Sequence, residues 1–175
     1  ELGCETVAVC NVTGSTIARE ADHVLYTYAG PEIAVAATKT YLAQIIALYL
    51  IALDLAEKRG AMTREALAER LRQMERIPAS MQRILDAREK IQFFASRSFA
   101  VRHVFFIGRG VDYALALEAA LKLKEISYIH SEAYAAGELK HGTISLITEG
   151  VPVVALATQE ALMPKMLSNI KEVKA

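Results

Sequence analysis

"VRHVFFIGRGVDYALALEAALKLKEISYI", residues 101–129, decides how this chain folds. An apolar run ends at a glycine, Gly108, and from Tyr113 onward the residues are apolar at helical spacing. A strand that turns through glycine into a helix is the first half of a βαβ unit, and such units build parallel sheets. The same arrangement occurs near the start of the chain. "TVAVC" (6–10) and "HVLYTY" (23–28) read as strands joined by "NVTGSTIAREAD", in which Gly14 permits a turn and Ser15 or Thr16 can cap a short helix. "GVPVVALAT" (150–158) supplies a last strand, and "QEALMPKMLSNIKEVKA" (159–175) a closing helix that Pro164 kinks or delays.

The middle of the chain is helical. "PEIAVAATKTYLAQIIALYLIALDLAEKRG" (31–60) predicts one long buried helix that ends at Gly60. "TREALAERLRQMERI" (63–77) follows, capped by Thr63 and closed by Pro78, and a third helix is expected over "ASMQRILDAREKIQFFASRS" (79–98). The expected fold is therefore α/β, with two partial parallel-sheet halves joined by a helical segment. Residues 1–76 form one half with its connecting helices, and residues 77–175 form the other. Two strands per half are few for a parallel sheet, which normally has about five or six. The chain accordingly reads as a piece of a longer polypeptide.

Composition narrows the function. Equal numbers of acidic and basic residues, 20 of each, and the lack of a basic stripe with interleaved aromatics argue against a nucleic-acid partner. The apolar run at 45–55 is interrupted by Asp54 and falls short of the roughly 20 residues needed to span a bilayer, so no membrane is expected. Cys4 and Cys10 lack CxxC spacing and form no disulfide framework, which fits a reducing cytoplasm. His23, His103, His130 and His141 show no HxxxH or HExxH spacing, so neither a metal nor another cofactor is expected.

On a helix over 113–127, about 100° per residue places Glu118, Lys122 and Glu125 on one narrow stripe. Two readings stay open. The stripe is either a solvated face with a surface Lys122–Glu125 pair, or the lining of a pocket in which Glu125 is a general base and Lys122 keeps it ionised. "ELKHG" (138–142) offers His141, which is either an ordinary helix-start residue or a second proton-transfer group. A carboxylate and a histidine together would suit an aldose–ketose isomerase, which moves one proton between carbons and others on oxygens. "GRG" (108–110) is either a phosphate-cradling turn or a tight turn with Arg109 exposed.

The longer motifs are more specific. "ALEAALKLKEISYIHSEAYAAGELKHGTISLI" (116–147) and "CNVTGSTIAREADHVLYTYAGPEIAVAATKTYLAQ" (10–44) closely resemble the isomerase part of the glutamine–fructose-6-phosphate aminotransferase (isomerising) family. The resemblance implies two sugar-isomerase (SIS) domains, each a doubly wound parallel α/β sandwich and each present here in part, a phosphosugar substrate (fructose 6-phosphate giving glucosamine 6-phosphate) and a homodimer. It implies that Glu125 transfers a proton between C1 and C2, that Lys122 shares the site, and that His141 opens the sugar ring from across the dimer interface. Val35 and Ala37 match positions that touch the sugar. The family often carries a hydroxyl residue where Ala37 stands, so that contact is lost here. The family's glutaminase domain, first phosphate loop and C-terminal lysine tail have no counterpart in these residues, so this chain alone is expected to be inactive. A relative without glutaminase that acts on sugar-phosphate amines, or a SIS module that only binds a phosphosugar, are the alternatives.

Overall fold

A computed structural model of the chain describes residues 3–97 and 100–175. Two compact units divide at Arg88 and Glu89. In the first unit, strand β1 (Val7–Cys10) and strand β2 (His23–Tyr26) pair in parallel, Val7 opposite His23 and Cys10 opposite Tyr26, with helix α1 (Thr16–Glu20) between them in the chain. Ser15 stands at the N-cap of α1, but its side chain makes no capping hydrogen bond, contrary to the expected cap. Asn11 ties the end of β1 to the chain after β2, accepting from Thr27 Oγ1 at 3.1 Å and from the Ala29 amide at 2.8 Å.

Helix α2 (Lys39–Lys58) begins eight residues later than the periodicity predicts. The reason lies in Glu32, which the helical pattern absorbed. Its carboxylate folds onto the N-terminus of α2 and accepts from the amides of Thr38, Lys39 and Thr40 at 3.0, 3.3 and 3.3 Å. Those are the amides that a helix leaves without intrahelical partners. Hydrogen bonds from the Thr40 hydroxyl and the Thr38 amide hold the Glu32 carboxyl down to about 2. At the other end Gly60 has φ +67°, as a C′ residue needs.

The expectation of a buried α2 is not met, because Ala47 is its one buried residue. The two-stranded sheet of this unit offers too little surface to cover a 20-residue helix. By length and composition the 20 residues of α2 are also apolar enough to cross a membrane, which the shorter run at 45–55 by itself is not. Helix α3 (Arg64–Glu75) starts as predicted, with Thr63 Oγ1 accepting from the Ala66 amide at 3.2 Å. Pro78 does not close the helical run. It sits in the first turn of helix α4 (Ile77–Asp86), where a missing amide costs nothing. The expected third helix is therefore two, α4 and α5 (Arg88–Arg97), and its predicted last residue, Ser98, lies outside the described residues.

The second unit is built on three parallel strands, not two. Strand β3 (His103–Gly108) lies between β4 (His130–Ala135) and β5 (Val153–Ala155). Every residue of β3 after His103 is buried, as expected for a central strand covered on both faces. Alternation sends Val104 and Phe106 to one face, where they meet Ala116 and Ala120 of helix α6 (Val111–Ser127). Ile107 points to the other face and packs with Ala136, Leu139 and Met166 of helix α7 (Met163–Lys174). Helices thus cover both faces, the doubly wound arrangement. Of the two expected effects of Pro164 the delay holds: α7 begins at Met163, four residues after Gln159, with Pro164 in its first turn and no kink there.

Both glycines of the 108–110 turn have structural reasons. A Cβ on Gly108 would sit 2.5 Å from the backbone carbonyl of Asp112, so only glycine lets α6 start so close to β3. Gly110 takes φ +55° at the N-cap of α6. Asp112 is 2% exposed and accepts from the Thr158 amide at 2.8 Å and from the Thr158 hydroxyl, fastening the start of α6 to the chain after β5.

Candidate active site

Helix α6 carries Glu118, Lys122 and Glu125 at i, i+4 and i+7, on one stripe of a helix whose other faces are largely apolar. Lys122 Nζ lies 2.8 Å from Glu125 Oε2 and 3.3 Å from Glu118 Oε1. The three side chains are only 21–24% exposed, which sets them apart from a freely solvated surface pair. The hydrogen bond that Lys122 donates to Glu125, assisted by Glu118, raises the Lys122 ammonium above the usual lysine range. Lys122 therefore stays protonated at neutral pH and acts as a fixed positive charge between two carboxylates. Chemically the cluster offers a carboxylate base, Glu125, next to a cation that can stabilise negative charge developing on a substrate oxygen. Glu118 joins the cluster beyond the expected Lys122 and Glu125, and its i,i+4 spacing to Lys122 is the signal for it in the sequence.

His141 ends a single turn of 3₁₀ helix, Leu139–His141. Leu139, fully buried in the α7-side core, anchors this turn, while the His141 side chain is 76% exposed. Its Nε2 lies 3.7 Å from Glu138 Oε2, itself well exposed. Among the described residues no hydrogen bond or ion pair joins His141 to the Lys122 cluster. Glu125 occupies the last turns of α6, five residues past Ala120, whose carbonyl accepts from Ser131 Oγ near the start of β4 at 2.7 Å. His141 follows the opposite end of β4, which is six residues long, a rise of about 20 Å at the usual strand spacing.

Val35 and Ala37 lie in the first unit, in the bend before α2, with Val35 88% exposed and Ala37 half-buried. Arg109 is not the exposed residue that the tight-turn reading expected. It is half-buried; its Nε donates to Asn169 Oδ1 at 2.9 Å, and its carbonyl accepts from Gln159 Nε2 at 2.7 Å. No cluster of three or more His, Cys, Asp or Glu residues suited to a metal occurs among the described residues.

Comparison with known proteins gives this geometry a family. Residues 1–54 and 99–175 match the SIS domain family. The chain is 60% identical over 173 residues to a glutamine–fructose-6-phosphate aminotransferase [isomerizing] of Caldanaerobacter subterraneus subsp. tengcongensis, covering 99% of this chain and 28% of that protein. The protein of the same name from Clostridium tetani is 56% identical over 171 residues, again covering 28% of its length. Among solved structures, the C-terminal domain of glucosamine-fructose-6-phosphate aminotransferase from Francisella tularensis superimposes with a TM-score of 0.93 at 39% identity, covering 96% of this chain and 48% of that one. The chain thus spans a little over a quarter of the relatives that it matches, 28% of their length. With both matched segments built on parallel sheets flanked by helices, this chain belongs to the SIS domain family.

Proposed function

We propose that this chain is the central isomerase region of a cytoplasmic enzyme that makes glucosamine 6-phosphate from fructose 6-phosphate and glutamine. Residues 1–76 would be the later part of one SIS domain with its connecting helices, and residues 77–175 the early part of a second. In this reading Glu125 carries the proton between C1 and C2 of the sugar, and Lys122 neutralises the charge that builds on the adjacent oxygen as the proton leaves. His141 shuttles the proton that opens the sugar ring. Val35 and Ala37 belong to the sugar-contacting segment of the first half. No metal or other cofactor takes part, and α2 serves as a packing helix.

The observation that carries the reading is the half-shielded Lys122 with a carboxylate on either side. The separation of Glu125 and His141 along β4 supports a shared site: a reaction needing both groups would draw His141 from a second copy, in a homodimer. Replacing Glu125 with Gln in the full-length protein tests the assignment. It should lower fructose 6-phosphate turnover by about 10²–10⁴-fold, the usual contribution of a general base. Turnover within a factor of about three of the unaltered protein, well under that contribution, would overturn it.

A further inference from the structure

The His141 side chain is 76% exposed and meets the equally exposed Glu138 carboxylate 3.7 Å away, so its backbone does most to set where the imidazole points. That backbone is gripped from one direction. Lys140 Nζ lies 2.9 Å from Glu172 Oε1 on α7. The other oxygen of Glu172 accepts from Asn169 Nδ2 at 3.0 Å, and Asn169 Oδ1 accepts from Arg109 Nε at 2.9 Å. Asn169 is 4% exposed, so this link runs inside the protein. The Arg109 guanidinium then covers Gly137, where a Cβ would come within 3.0 Å of Nη2. Arg109, Asn169, Glu172 and Lys140 thus form one chain of polar contacts that meets the 137–141 segment at both ends, with buried Leu139 between them.

We infer that Glu172 and Asn169 are positioning residues: through Lys140 and Arg109 they hold the turn that presents His141, and so set the placement of its imidazole in the site it serves. The inference rests on the role proposed above for His141. The Lys140 hydrogen bond also keeps the Glu172 carboxyl below the usual glutamate range. A displacement of about 1 Å in a reacting group can cost 10²-fold in rate, and a group on a loose support loses rate before it loses binding.

The test uses the full-length protein and two readouts. Glu172→Ala should speed amide exchange at His141 and Gly142 by about tenfold or more while the buried amides of β3 are unchanged. It should lower kcat for fructose 6-phosphate by about 10–100-fold with KM within about twofold, and Glu172→Gln, which keeps an acceptor for Asn169, should lose less. In a His141→Ala background, Glu172→Ala should have no further effect on kcat, which a merely structural role would not produce. Unchanged exchange at His141, or a kcat loss that persists undiminished without His141, would overturn the inference. If His141→Ala alone leaves turnover intact, the proposed role of His141 fails, and the inference fails with it even where exchange shows that α7 grips the turn.

Discussion

Helices α2 and α6 are both rich in Ala and Leu, yet α2 buries Ala47 alone whereas α6 buries Asp112, Ala116 and Ala120. The difference lies in what each helix meets. Alpha-helical periodicity reports that a segment can bury a face, but burial requires a partner surface, and β1 with β2 provides two short strands where β3 with β4 provides two six-residue ones. The consequence reaches function: α6 can hold charged side chains in a fixed, half-shielded arrangement because its apolar faces are pinned, and α2 has no such support.

The contrast can be broken most sharply at the centre of the second unit. Ile107 is fully buried, and Ile107→Ala should cost about 2–5 kcal/mol in urea unfolding, the range for a large-to-small change in a packed core. A loss below about 1 kcal/mol would mean that this core is as loose as the surface of α2. Asp112→Ala should cost about 1–3 kcal/mol, because it leaves the Thr158 amide and hydroxyl without their acceptor. Leu48 on α2 is 52% exposed, and Leu48→Ala should cost less than about 0.5 kcal/mol in this chain. A much larger loss in the full-length protein would show that another part of the polypeptide covers α2.

The smallest effect concerns the α2 cap. Glu32 has a folded value of about 2 against 4.5 for the free side chain, so its contribution to stability is fully present above pH 4.5 and disappears as pH falls toward about 2. The Glu32→Gln variant should therefore show a flatter loss of helix signal between pH 5 and 2, and identical acid curves would contradict the cap.

Much of the parallel α/β arrangement was legible, because strand-then-glycine-then-helix leaves a strong pattern at 101–127. What escaped has physical reasons. β4 was missed because "HSEAYA" mixes charged, small and aromatic residues, so neither alternation nor a continuous apolar run marks it. The start of α2 was misplaced because "PEIAVAA" is apolar at compatible spacing, and only the side-chain cap by Glu32 shows where the helix begins. Pro78 reads as a helix end although it serves as a first-turn residue of the next helix, a position that looks the same in sequence. In the candidate site, the Glu118–Lys122–Glu125 stripe was readable from spacing alone, since helix geometry fixes it. The support of His141 by Asn169 and Glu172 was not, because it joins residues about 30 apart in sequence that only the packing of α7 brings together.

The central claim is that Glu125 and His141 act together from different copies of the chain. Its most direct test mixes two inactive full-length variants, Glu125→Gln and His141→Ala, after dissociating and reassociating them in equal amounts. A shared site predicts recovery of about a quarter of the unaltered activity, because half of the dimers are mixed and each of those has one intact site of two. No recovery, with mixed dimers present, would place both groups in one copy and contradict the account.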